Sequence, residues 1–323
     1  MEERGKKIFF IDALRALAVL LILNSHMDKI YPIQALATGG ALGNSLFFIC
    51  SGYCIRGKDK TGGWIFWKLA RLYVPAVIVT FLFYRDSQAH PFSKYVWPTC
   101  FWFVGAMVLF YIAYDILERL HLFEHYKLFL AIGIIIYAGY YILLLDTGVW
   151  VIEAPGITSI EGCFKLIYYF MIMFTGGYIN QKKNIWGSIG LYKAAILFSV
   201  VLLYGSKYVF NKYSDLIHWQ FLNQVAVFVF AVAMLIVFRE SSFLSYFGNR
   251  KVAWIFKYLS RYSLEIYLVQ FTVIEAEQKF SFPGNFIMAV GLSLFMGFIL
   301  KQLCTIPDKV LKHGRQTMVE KRK

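Results

Sequence analysis

Charge is scarce in this sequence. Of 323 residues only 16% are Asp, Glu, Lys or Arg, against 59% hydrophobic and 19% aromatic. A water-facing surface of that size needs far more charge, so the shortage excludes an ordinary soluble domain, and the apolar content excludes a disordered chain or a collagen-like fibre. Cysteine is sparse as well. Cys50, Cys54, Cys100, Cys163 and Cys304 have neither paired metal-site spacing nor the framework of a secreted disulfide domain, and they read as small core residues. No His, Cys or carboxylate set has metal-site spacing and no Walker-type phosphate loop occurs, so neither a metal nor a permanently bound cofactor is expected.

What is present is apolar length. Runs long enough to cross a bilayer lie at approximately 8–27, 39–56, 67–84, 100–118, 127–146, 163–181, 187–206, 217–238, 252–274 and 284–304. Each span uses ~20 residues, so the expectation is an all-α integral membrane protein of about ten transmembrane helices. It forms a single transmembrane domain over residues 1–323, whose residues 305–323 are a basic cytoplasmic tail. Barrel strands would be half as long and would alternate with period two. Turn-rich joints fall at Gly57 to Gly63, Asp86 to Pro98, Ala154 to Thr158 and Ser281 to Asn285. The first run lacks a small-residue cleavage site and reads as a signal anchor. No internal repeat is visible.

The formal net charge of +14 raises nucleic acid as a partner. Its distribution argues against that. Segments on one side of the ten-span arrangement, from the amino terminus through 56–71, 119–127, 182–193, 239–257 and 301–323, hold 24 of the 33 Lys and Arg residues. The other side holds six: Lys29, Arg85, Lys94, Lys207, Lys212 and Lys279. This asymmetry predicts both termini in the cytoplasm of a multi-pass cell-membrane protein, with the bilayer and its anionic lipids as partner rather than nucleic acid. Arg15, Lys165 and Arg261 lie inside apolar runs, where a charge is costly and marks a functional candidate.

Asp12, Arg15 and His26 interrupt the first span. Arg15 and His26 are eleven residues apart, three turns plus ~20°, so they project from one face with a rise of about 16 Å between them. Asp12, three residues before Arg15, is placed to pair with it. Two readings stay open on spacing alone. In one, Arg15 snorkels to the inner headgroups and His26 marks the outer interface. In the other, the forked guanidinium binds phosphate and the imidazole moves a proton near neutral pH.

The stretch Ile11 to His26, IDALRALAVLLILNSH, resembles the first helix of the acyltransferase-3 family of bacterial integral-membrane acyltransferases, whose hallmark is Arg, ten residues, His. Gly43 to Ile55, GNSLFFICSGYCI, is similar to that family's second-helix signature through Phe47, Phe48, Ser51 and Gly52. Lys68 to Pro75, KLARLYVP, matches its basic third-helix motif through Arg71 and Pro75. Trp102 to Tyr111, WFVGAMVLFY, resembles its fourth helix, and Ser263 to Gln270, SLEIYLVQ, its Ser-x-x-Ile-Tyr-Leu-x-His segment. The likeness runs from near residue 8 to near residue 275. Three positions depart from the pattern. Ser45 stands where members often have Asp or Pro, while Cys100 and Gln270 stand where they often have His, so His26 is left to act without a second or third histidine.

The resemblance implies transfer of an acyl group, commonly acetyl from acetyl-CoA, onto a hydroxyl of a cell-envelope carbohydrate or glycolipid. No extracytoplasmic esterase-like domain is expected in this chain. On that reading Arg15, Lys68 and Arg71 supply cations for the donor's phosphates, and the thioester arm reaches His26. His26 acts as general base or as the acceptor of the acyl group, with the base favoured because it needs one step fewer. Asp28 orients His26 only if the helix ends near Met27, since residues two apart do not face each other on a helix.

Other positions keep two readings each. Ser51 with Gly52 is a thioester-side hydroxyl or a small-residue packing face. Trp102 stacks on a sugar or belongs to an interfacial aromatic belt, and it lies about 180° out of register with Tyr111. Glu265 is neutralised by Arg261 four residues earlier or positions substrate. Lys165 is expected to snorkel outward. The rival function is a transporter or flippase for a glycan or lipid-linked precursor, which predicts paired halves with broken helices. The sequence leaves the oligomeric state open.

Overall fold

The computed structural model describes residues 2–56, 63–83, 101–148, 150–151, 156–157, 159–182, 187–240 and 250–320, with side chains described within residues 9–305. Ten long helices are present among them: α1 (Glu2–Ser25), α2 (Gly40–Ile55), α3 (Trp64–Phe83), α4 (Trp102–Arg119), α5 (Tyr126–Leu143), α6 (Ile160–Gln181), α7 (Ile189–Lys212), α8 (Phe221–Glu240), α9 (Arg250–Glu277) and α10 (Gly284–Glu320). No strand occurs among the described residues. Among the described residues seven stretches are long and apolar enough to cross a membrane, those containing α2, α3, α5, α6, α7, α8 and the first part of α10. α1, α4 and α9 are interrupted by ionic side chains such as Asp12, Asp115 and Glu265.

Six of the ten described helices, α1, α3, α6, α7, α9 and α10, are longer than their apolar runs, because a helix continues into the polar zone until something satisfies its terminal groups. Ser159 caps α6 by accepting from the Gly162 amide at 3.0 Å, and Ser188 caps α7 from the Leu191 amide. At the other end of α6, the Arg239 guanidinium donates to the carbonyls of Ile179 and Lys182 at 2.8 and 3.1 Å. α10 runs on as backbone helix to Glu320, through what the sequence marks as a separate tail.

The chain divides into two compact units, with the division falling inside α1, α4 and α9. The first holds Met1–Ile22, Gly39–Lys58 and Leu117–Ser260. Its centre is α6 and α8, of whose apolar windows 72% and 61% are buried, whereas α5 and α7 bury only 6% and 11%. The exposed faces of α5 and α7 carry Ile135, Ile142, Leu143, Leu197 and Phe198. An apolar face of that extent belongs in lipid.

Small residues let the inner helices of this unit touch. The Gly52 Cα on α2 lies against the carbonyl of Met173 on α6, and Gly176 on α6 lies against the carbonyl of Ile49 on α2. A side chain at either position would meet backbone. Gly43 stands in the same relation to Ala18 of α1. The packing reading of Ser51–Gly52 therefore has a concrete basis for its glycine.

The second unit holds Leu23–Thr38, Asp59–Ile116 and Arg261–Lys323. The last turn of α1 and the segment after it dock on the end of α9 and the start of α10: Leu23, Met27 and Ile30 pack with Val273, Ile274 and Ala289, flanked by Tyr31 and Phe286. α9 and α10 approach closely at Gly297, beside Ile266.

Candidate active site

α1 ends where its own sequence turns polar. Asn24 donates from Nδ2 to the carbonyls of Leu36 and Thr38 at 2.8 and 2.9 Å and accepts from the Tyr31 hydroxyl at 2.6 Å. These bonds tie the following loop back onto the helix end. His26, the first residue beyond α1, is half-buried, while Asp28 and Lys29 are exposed. The buried Met27 and Ile30 on either side anchor this turn to α9 and α10.

α9 supplies the partners of the imidazole. Nδ1 of His26 lies 3.1 Å from Nε2 of Gln270, and the Phe271 ring is 4.6 Å from the imidazole centroid, tilted by 58°. Phe101, just before α4, is 6.2 Å from Phe271, and Tyr267 touches Phe101, Phe103 and Phe271. One side of the imidazole is thus an aromatic wall built by α9 and the start of α4. Gln270 is fully buried and its Oε1 has no hydrogen-bond partner among the described residues. Each orientation of that amide selects a tautomer: the NH2 group pairs with a bare Nδ1, the oxygen with Nδ1–H. With Nδ1–H held, Nε2 is the lone-pair nitrogen.

The place that the sequence offered to Asp28 as orienter belongs to Gln270 instead. The helix does stop early enough, but the exposed Asp28 is on the wet side of the turn. A hydrogen-bonding partner 244 residues away in the chain leaves no local signal. The departure from His at Gln270 was the only trace of it in the sequence.

Other expected contacts also change. The Asp12 carboxylate accepts from Ser260 on α9 at 2.6 Å, rather than pairing along its own helix with Arg15. Glu265, 1% exposed, pairs with Lys301 of α10 at 2.7 Å and not with Arg261, which is exposed and lies over the Tyr262 ring. A partner across a helix interface satisfies a buried carboxylate better than an i−4 neighbour that points outward. The second Glu265 oxygen has no hydrogen-bond partner among the described residues. Lys165 is 2% exposed, so it is enclosed by the core and does not snorkel.

The remaining candidates stand as follows. Arg15 and Ser51, in the first unit, are both half-buried. In the second unit, the Lys68 ammonium lies 5.2 Å over the Tyr111 ring, Arg71 is exposed, and the half-buried Trp102 opens α4 beside the aromatic wall. Cys100 and the joint Asp86 to Pro98 lie outside the described residues.

Several apolar helices with lipid-facing surfaces define a multi-pass membrane protein. The family model of the Acyl_transf_3 acyltransferase domain matches residues 8–306, nearly the whole chain. The chain belongs to this family and is a membrane acyltransferase. No curated protein and no solved structure matches it.

Proposed function

We propose that the protein moves an acetyl or other acyl group from acyl-CoA onto a hydroxyl of a cell-envelope carbohydrate or glycolipid, working in the cytoplasmic membrane. The observation that carries this reading is the hydrogen-bond contact of His26 with buried Gln270 against an aromatic wall. That setting suits a general base. With the Gln270 amide turned so that its oxygen accepts from Nδ1–H, Nε2 takes the proton of the acceptor hydroxyl while the hydroxyl oxygen attacks the thioester carbonyl. The carbonyl–sulfur bond then breaks, CoA leaves as thiolate, and the imidazolium returns the proton to it, giving an ester and free CoA thiol. Trp102 and the neighbouring rings offer a face for a sugar, since aromatic edges and faces pack well on its C–H surface. Arg15, eleven residues earlier in the chain, is assigned to the donor's phosphates because its fork matches phosphate oxygens. Lys68 and Arg71 add positive charge in α3.

The test is release of CoA thiol by purified protein in proteoliposomes given acetyl-CoA and an envelope glycan extract. His26→Ala should lower turnover by about 100-fold or more, the usual range for a lost general base, with folding unchanged. Near-normal turnover would remove His26 from the mechanism. Arg15→Ala should raise the KM for acetyl-CoA about ten-fold, in keeping with a lost charged hydrogen bond, and an unchanged KM would free Arg15 from that role. Mass spectrometry of surface glycans with and without the protein identifies the acceptor.

A further inference from the structure

Four buried side-chain oxygens of α9 and α10 have no hydrogen-bond partner among the described residues: Glu265 Oε2, Gln270 Oε1, Glu277 Oε2 and Ser293 Oγ. All four lie in the second unit, as His26 does. Buried polar groups are nearly always hydrogen-bonded, so an orphan marks a place where a partner belongs. Ser293 is the odd member. It is 0% exposed, on the stripe of α10 that also carries Ala289, Leu300 and Cys304. Other buried hydroxyls turn back on their own helix: Ser45, Thr80, Thr175 and Ser199 donate to carbonyls three or four residues earlier at 2.7–2.8 Å. The Ser293 hydroxyl makes no such bond.

The register of the two helices places Ser293. α9 and α10 run antiparallel: Tyr262 touches Phe298, Ile266 lies against Gly297, and Val273 and Ile274 pack with Ala289. One turn along each helix from the Ile266–Gly297 contact come Gln270 and Ser293, and one turn further come Ile274 and Ala289. Contacts on both sides therefore put Gln270 and Ser293 on one level of the seam. The backbones are close there, since a methyl group on Gly297 would lie 3.0 Å from the Ile266 nitrogen. The two glutamates are placed otherwise. Glu277 is seven residues beyond Gln270, a rise of about 10.5 Å, and Glu265 sits on a different face of α9, where it pairs with Lys301.

The amide of Gln270 has two ends, and its contact with His26 Nδ1 uses one of them. As Nε2 takes up a proton, the imidazole passes from one N–H to two. Nδ1 carries its hydrogen in both states, so the group facing it has to be an acceptor throughout. That requires the amide oxygen toward His26 and the NH2 group turned away from it. The NH2 group then needs an acceptor of its own, and a serine oxygen is one whose O–H can still turn to the carbonyl one turn back. The opposite orientation would set NH2 against Nδ1–H, donor against donor.

We infer that Ser293 is a positioning residue for His26: its oxygen accepts from the Gln270 NH2 group, directly or across one water molecule, which holds the amide oxygen on Nδ1–H and leaves the lone pair on Nε2. The inference rests on the general-base reading of His26.

The first test reads the imidazole itself, by nitrogen NMR of the full chain with isotope-labelled histidine in detergent. At about pH 9 an ordinary imidazole is neutral, and the signals missing from His26→Ala belong to His26. The wild type should show Nδ1 protonated and Nε2 bare. Ser293→Ala should convert this to a mixture of the two tautomers. Ser293→Thr, which keeps a hydroxyl, should retain the wild-type pattern, whereas Ser293→Val, of the same shape, should not. Release of CoA from acetyl-CoA gives the second readout. Ser293→Ala should lower kcat by up to about ten-fold, as for one lost neutral hydrogen bond, with the KM for acetyl-CoA unchanged. In Gln270→Leu it should have no further effect, because it acts through that amide. A wild-type ring protonated on Nε2, a tautomer unmoved in Ser293→Ala, or kcat losses that simply add in the double variant would overturn the assignment. Should the wild type release no CoA while its tautomer responds to Ser293 as expected, the acyl-transfer reading fails and the Ser293 contact stands.

Discussion

At the residue scale, the proposed chemistry turns on which nitrogen of His26 carries the proton. Gln270 touches Nδ1 and has no charge, so it orients the ring without stabilising the imidazolium. Replacing it by Glu introduces a carboxylate at hydrogen-bond distance, and a nearby negative charge favours the protonated ring. A base must be deprotonated to act, so the rising limb of the pH–rate profile should shift to higher pH in Gln270→Glu. Gln270→Leu should instead lower kcat with the limb in place, because the ring loses its orientation but gains no charge. Initial rates of CoA release over a pH series check both, and a profile unmoved in Gln270→Glu would count against the contact. Arg15 and His26 stood out in the sequence as ionisable residues inside an apolar run, which is a local property. Their partners were not.

At the element scale, the closest contact is between α2 and α6. Gly52 and Gly176 each face the other helix's backbone, so an added methyl group has to push the helices apart. Gly52→Ala should cost about 1–3 kcal/mol, the usual range for overpacking, and lower the unfolding temperature in detergent. Gly139→Ala on α5 serves as the contrast. Nothing lies within 4 Å of a methyl group there, so stability should hold or rise by up to about 1 kcal/mol from helix propensity. Equal effects at the two positions would mean that α2 and α6 are not held by this contact. The helices themselves were readable from apolar length. Their ends were not, since hydropathy follows the hydrocarbon zone while Ser159, Ser188 and Arg239 decide where the hydrogen-bond ladder stops.

At the scale of the whole molecule, charge asymmetry makes a claim about sidedness. With both ends inside, alkaline phosphatase fused after Lys323 should be inactive and the same enzyme fused after Lys29 active, because it folds only where disulfides form. Activity at both fusions would contradict the arrangement of the charged loops. The membrane class, the helical architecture and the family were already present in composition, apolar run length and five ordered motifs, because each of these is a property of neighbouring residues. Tertiary structure alone decided that Gln270 braces His26, that Lys301 and not Arg261 neutralises Glu265, that Ser260 holds Asp12, and that Lys165 is enclosed. Those pairings join helices distant in the chain. They depend on which faces meet after packing, and no local pattern of residues encodes that meeting.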